Sequence, residues 1–235
     1  MKFASSLNKA TLIKRYKRFL VDLHCSHQGE FTVHCANTGK MTGCADTGFS
    51  AYYSTSDNKK RKYPHSLELT QNTQGALICV NTNHANTVAF EGIEQGIVKQ
   101  LSGYTRSHRE VKYGQENSRI DILLEDDERA PCYVEVKSVT LLENNRGYFP
   151  DAQTLRGQKH LRELIALKHQ GARAVLLFVV MHEGINDVAA AEHIDPHYAT
   201  LLTQASQEGV EILAYKATIS AQEITLSQQV PVNIS

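Results

Sequence analysis

The chain has 235 residues, 41% of them hydrophobic and 21% charged, with a formal net charge of zero at pH 7; this is enough to bury one large core or two small ones, and it excludes a disordered chain or a uniformly basic nucleic-acid coat. Five cysteines, odd in number and without a Cys-x-x-Cys pair, suit reduced thiols rather than a disulfide framework. No apolar run reaches the roughly 18 residues of a membrane span and the opening residues lack a signal-peptide core, so a cytoplasmic protein away from membranes is expected.

Between residues 14 and 80 the text is strand-like, with short apolar segments at 18–23, 31–35, 51–55, 67–70 and 76–80. Turn signals separate them, among them Gln28-Gly29, Asn37-Thr38-Gly39 and Ser56-Asp57-Asn58. Five short strands in this stretch predict a small OB-like β-barrel occupying residues 1–84. Charge supports a distinct role for it, since residues 1–84 hold 11 Lys and Arg against 5 Asp and Glu, and the remainder 14 against 20. The excess clusters around Arg15, Lys17 and Arg18 and again at Lys59, Lys60, Arg61 and Lys62, beside Tyr16 and Tyr63. Phosphate contact and a solvated surface loop explain either cluster equally well.

A second, α/β domain is expected over residues 85–235. A helix is predicted over 85–98, carrying Glu91, then a strand near 110–113. Next come Ser118-Arg119-Ile120-Asp121-Ile122-Leu123-Leu124, an acidic turn and Cys132-Tyr133-Val134-Glu135-Val136-Lys137-Ser138, which read as a hairpin. Period-two alternation sends Glu135 and Lys137 to one face and Val134 and Val136 to the other. Asp121 and Glu135 on adjacent strands can hold a hard divalent cation, with the Lys137 ammonium left to steady a phosphate. An ordinary solvated strand face is the competing reading. Glu110-Val111-Lys112 repeats the Glu-x-Lys pattern without a strand-borne acid before it and is read as a decoy. A helix over 152–169 ending at Gly171 and a buried strand over 174–181 follow. Asp195 caps a helix with Pro196 at its first position, the last strand is expected over 210–215, and residues 220–235 read as a loosely held tail.

Several longer motifs carry a family resemblance. They include His34-Cys35-Ala36-Asn37-Thr38-Gly39, Tyr53-Ser54-Thr55-Ser56-Asp57-Asn58, Glu110-Val111-Lys112-Tyr113-Gly114, Tyr133-Val134-Glu135-Val136-Lys137-Ser138-Val139-Thr140, Gly147-Tyr148-Phe149-Pro150-Asp151-Ala152 and Arg156-Gly157-Gln158-Lys159-His160-Leu161. Over nearly its whole length the chain resembles the sugar fermentation stimulation protein A (SfsA) family. The resemblance implies an OB-like barrel followed by a PD-(D/E)XK nuclease-like domain, in a bacterial cytoplasmic, nonspecific DNA-binding protein connected to maltose metabolism. It further implies that Asp121, Glu135 and the Val136 carbonyl hold Mg²⁺ or Mn²⁺, that Lys137 orients or deprotonates the attacking water, and that Glu91 stands where related nucleases place a helix acid. Ile120 replaces the proline of the superfamily's name. Gln158 is similar to a glutamine some members set on the following helix, although the aromatic residue four positions later is Arg162 here. Arg156 and Lys159 on that helix are candidate phosphate contacts or a solvated basic face, and residues 148–151 either wall the cleft or cap the helix.

Three functions remain: a DNA-binding protein retaining a nuclease-type metal site, a working Mg²⁺-dependent DNA endonuclease, and a regulatory or scaffold protein that touches DNA weakly.

Overall fold

The computed structural model of the protein describes residues 1–113 and 118–234; Gly114 of the Glu110-Val111-Lys112-Tyr113-Gly114 motif lies outside the described residues. Five strands close the barrel: β1 (Asn8–Tyr16), β2 (Leu20–Cys25), β3 (Gly29–Cys35), β4 (Ser50–Thr55) and β5 (His65–Gln71). Their order is β3-β2-β1-β4-β5, and a short parallel pairing of His34 with Ser66 and Cys35 with Leu67 shuts the ring. Alternation fills the interior with Leu12, Val21, Leu23, Val33, Ala51 and Leu67, all buried.

The strand set differs from expectation at both ends. β1 was not foreseen, because only Ala10 and Leu12 of it are buried and its remaining residues are largely polar. Arg18, expected inside a strand, sits instead in the β1–β2 turn, where Lys17 and Arg18 both take positive φ. The segment expected as the fifth barrel strand is β6 (Leu77–Cys79), which pairs with β5 outside the ring. From there it joins the second domain: the Cys79 amide donates to the Met181 carbonyl at 2.9 Å, and the Cys79 side chain packs in that domain's core.

The second domain is built on a six-stranded sheet in the order β15-β14-β12-β9-β8-β7. In chain order these are β7 (Arg106–Tyr113), β8 (Ser118–Glu125), β9 (Cys132–Val139), β12 (Arg173–Val180), β14 (Glu211–Ile219) and β15 (Ile224–Gln229). β9, β12 and β14 run parallel at its centre, and β7, β8 and β15 are antiparallel to their neighbours. Every residue of β12 after Arg173 is buried, as a central strand covered on both faces requires. Helix α1 (Asn83–Glu94) covers one face; α2 (Leu155–His169) and α3 (Pro196–Gln207) cover the other. α1 stops earlier than expected, with Gly96 beyond it at positive φ. α2 begins three residues later than expected, with Thr154 accepting the Gly157 amide at 3.0 Å. α3 starts as read, Asp195 accepting the Tyr198 amide at 3.0 Å ahead of Pro196.

A small sheet, β10 (Leu141–Glu143), β11 (Arg146–Phe149), β13 (Val188–Ala190) and β16 (Val232–Asn233), lies beside the main one. The expected loose tail is therefore wrong. β15 completes the main sheet with Ile224 and Leu226 buried, and α1 approaches so closely that a Cβ on Gly92 would lie 2.5 Å from the Leu226 side chain.

Candidate metal centre

β8 and β9 pair in the register Ile122 to Val134, Leu123 to Tyr133 and Leu124 to Cys132. One step further along, Asp121 does not continue the ladder. Its carboxylate instead accepts the Val136 amide at 2.7 Å on one oxygen and the Asn86 side-chain amide, from α1, at 2.7 Å on the other. Glu135, on the next position of β9, is 1% exposed. Its Oε1 accepts the Lys137 ammonium at 2.5 Å and is met by His160 Nδ1 from α2, while its Oε2 has no hydrogen-bond partner. Arg156 Nε donates to His160 Nε2 at 3.4 Å, and the Lys137 ammonium lies 3.0 Å from His160 Nδ1, so Glu135, Lys137 and His160 form one three-way contact.

The two carboxyls are driven apart electrostatically. Burial, then the charge of Glu135, push Asp121 up to about 6, against the opposing effects of the Val136 amide, Lys137 and Asn86. Burial pushes Glu135 up as well, but the Lys137 ammonium and the His160 contact outweigh it and hold Glu135 below the usual carboxylate range. Near neutrality Glu135 is ionised, and Asp121 passes its midpoint about one pH unit lower.

Among the described residues no group of three or more His, Cys, Asp or Glu side chains is placed to hold a metal ion. Two carboxylates still match the needs of Mg²⁺, which takes one or two of them and keeps several waters. The unpartnered, buried Glu135 Oε2 beside Asp121 fits that donor set, because a buried carboxylate oxygen without a donor is costly unless something positive reaches it.

The site opens into a cavity of about 460 Å³ that gathers Asp121, Glu135, Val136 and Lys137 with Arg18 and residues 37–39 of the barrel and with Tyr148, Asp151 and Arg156. Residues 148–151 thus wall the cleft. Glu110 and Lys112 of the decoy motif are exposed on β7.

Other expected site residues stand elsewhere. Glu91 does not face the carboxylates: it pairs with the Met1 amino group at 2.5 Å and is absent from the cavity wall, since five residues along α1 from Asn86 turn it well away. Gln158 is likewise outside the cavity. Its side-chain amide is spent on both carboxylate oxygens of Asp195, at 3.0 and 3.1 Å, and braces α2 against the start of α3. Arg15 is not a free cation, because its guanidinium donates to the carbonyls of Arg18, Asn37, Gly39 and Lys40. Lys17 is exposed in the β1–β2 turn. Lys59, Lys60 and Lys62 are exposed on the β4–β5 connection, where Arg61 donates to Ser66 at 2.8 Å, and Lys159 is half-buried on α2.

The reading by residue pattern missed Asn86 and the contact of His160 with Glu135. The signal for His160 was its place four residues after Arg156 on one helical face.

With this geometry in hand, the chain matches the family model "SfsA N-terminal OB domain" over residues 13–80 and "Sugar fermentation stimulation protein RE domain" over residues 83–223. The chain belongs to the SfsA family. The "Sugar fermentation stimulation protein homolog" of Pseudoalteromonas translucida (strain TAC 125) is 62% identical over 236 residues, spanning 98% of this chain and 99% of that one. The solved structure of Pyrococcus furiosus SfsA in complex with Ca²⁺ overlays with a TM-score of 0.86 at 26% identity, covering 100% of this chain and 98% of that one. The fold is accordingly that of SfsA, an OB barrel followed by a nuclease-like domain.

Proposed function

We propose that this protein binds DNA and holds one divalent cation, Mg²⁺ or Mn²⁺, at Asp121 and Glu135. The observation carrying the proposal is the buried Glu135 Oε2 without a donor, set beside an Asp121 carboxylate that the Val136 amide and Asn86 lock in place. The Ca²⁺ bound in the Pyrococcus furiosus relative supports a hard, oxygen-seeking cation. The basic excess of the barrel half and the exposed Arg18 and Arg156 at the cavity support a polyanionic partner. A DNA-binding regulator also accords with the relatives' name, which ties them to sugar fermentation.

A second reading, metal-dependent phosphodiester hydrolysis, is favoured by Lys137. A divalent cation at such a site supplies Lewis acidity and a low-pKa water. The protein's own part is to hold the Lys137 ammonium at Glu135, where it meets the negative charge of an incoming phosphate, and to set His160 against the same carboxylate so that it is oriented. Asp121 must lose its proton before it can ligate.

Calorimetric titration with Mg²⁺ and Mn²⁺ tests the site. The wild type is expected to bind, Mn²⁺ more tightly, and the Asp121→Asn/Glu135→Gln double variant is expected not to; equal heats from both proteins would place the cation elsewhere. Lack of salt-sensitive DNA binding at physiological ionic strength would favour a scaffold role instead.

A further inference from the structure

Both domains wall the cavity that holds the carboxylates, and this limits what can reach them. We propose that the substrate is an unpaired nucleic-acid strand admitted between barrel and nuclease-like domain, and that intact duplex is excluded; this rests on the phosphodiester reading above. The barrel wall is fixed. The Arg15 guanidinium binds the carbonyls of Arg18, Asn37, Gly39 and Lys40 at 2.6 to 3.0 Å, the Asn37 amide donates to the Val80 carbonyl at 3.2 Å, and Thr82 donates to the Ala36 carbonyl at 2.9 Å. The wall is also tied to the opposite domain. The Met41 amide donates to Asp151 Oδ2 at 3.2 Å, and Cys44 donates to the Thr140 carbonyl at 3.3 Å. At Gly39 the approach is so close that a Cβ would collide with the Asp151 carboxylate.

What remains between these ties is about 460 Å³. That lies within the roughly 300–1,000 Å³ that encloses one drug-sized ligand, room for a nucleotide or two. A stack of paired nucleotides does not fit in a space sized for one or two, and enzymes that must bring a nucleotide into such a pocket act on single strands or extruded nucleotides.

The lining suits such a strand. Arg18 from the barrel and Arg156 from α2 bring a cation from each wall. The half-buried Tyr148 adds a ring to the same lining; it is held edge-on by His193 at 5.4 Å, and His193 Nε2 in turn pairs with Glu143 at 2.9 Å. A fixed aromatic face beside cations is how unpaired bases are gripped without regard to sequence.

The test uses the full-length protein with Mn²⁺ on circular single-stranded DNA, covalently closed duplex and duplex carrying a single-stranded flap. Cutting of the circle and the flap, with the closed duplex at least tenfold slower, is expected; a closed duplex cut as fast as the single strand overturns the proposal. If no DNA is cut, the hydrolytic reading of the site fails, and binding measured in Ca²⁺ decides the present proposal separately. There, Tyr148→Ala is expected to weaken an oligo-dT about tenfold and leave a blunt duplex unaffected, while Tyr148→Phe, which keeps the ring, binds as wild type. Equal losses on strand and duplex, or none on either, overturn it.

Discussion

Asp121 and Glu135 are neighbours of the same chemical kind, yet the fold moves their acidities in opposite directions. Lys137 and His160 attend to Glu135, whereas Asp121 has amide donors and faces the charge of Glu135 itself. With Asp121 raised to about 6, protons and cation compete for it in a physiological range, and Mg²⁺ affinity is expected to fall about tenfold per pH unit below pH 6, as one proton is displaced. Calorimetry from pH 5 to 8 reads this directly, and a flat profile counts against Asp121 as a ligand. The linkage to stability has a definite sign. A carboxyl whose folded value exceeds its ordinary 3.8 contributes stability that is present below that value and lost as pH rises through about 6. Asp121→Asn should therefore stabilise cation-free protein at pH 7.5 by on the order of 2 kcal/mol while abolishing cation binding. Urea denaturation in chelator checks it, and an unchanged or lower midpoint argues against the lowered acidity of Asp121. Lys137→Met separates other properties. An ammonium has no lone pair to ligate a cation, so binding should survive, while cleavage drops by about a hundredfold or more and stability falls by about 3 kcal/mol as buried Glu135 loses its partner.

At the scale of elements, what could be read from the chain depended on whether an element carries its own period. The β8–β9 hairpin, α2, β12 and α3 each do, and Asp195-Pro196 marked a helix start without reference to anything distant. β1 did not, because two inward residues, Ala10 and Leu12, are too few for an alternation to stand out. β10, β11, β13 and β16 are two to four residues long and exist through pairing with partners remote in sequence. The site divides the same way. Asp121, Glu135 and Lys137 follow from spacing along one hairpin, whereas Asn86 and His160 reach it only because α1 and α2 pack on opposite faces of the sheet. Gln158 shows the limit of analogy, since one helical residue position separates a cavity wall from a brace to Asp195. Its loss should thus be structural. Gln158→Ala is expected to cost about 1 kcal/mol and leave Mg²⁺ affinity at the wild-type value; a weakened affinity with unchanged stability would return Gln158 to the metal centre.

For the whole molecule, zero net charge conceals two halves of opposite sign, and the barrel half is joined firmly to the other through β6 and the residues 37–44 segment. A polyanion approaching such a molecule is steered by the local field of the barrel rather than by net charge, within a Debye length of about 8 Å at physiological salt. The exposed Lys59, Lys60 and Lys62, with Arg61 beside them, form the densest run of cations on that half and lie away from the cavity. If they contact the backbone of DNA whose unpaired segment enters the cleft, they add affinity without adding sequence preference. Changing all four to alanine in the full-length protein should lower the magnitude of the salt slope of DNA binding by roughly three, about one unit for each of the three lysines, Arg61 being engaged with Ser66. Mg²⁺ affinity should stay the same, because no member of the cluster lines the carboxylate site. A slope equal to the wild-type value would shift the electrostatic footprint onto Arg18, Arg156 and the cleft itself, and would make the cavity, rather than the barrel loop, the principal DNA contact.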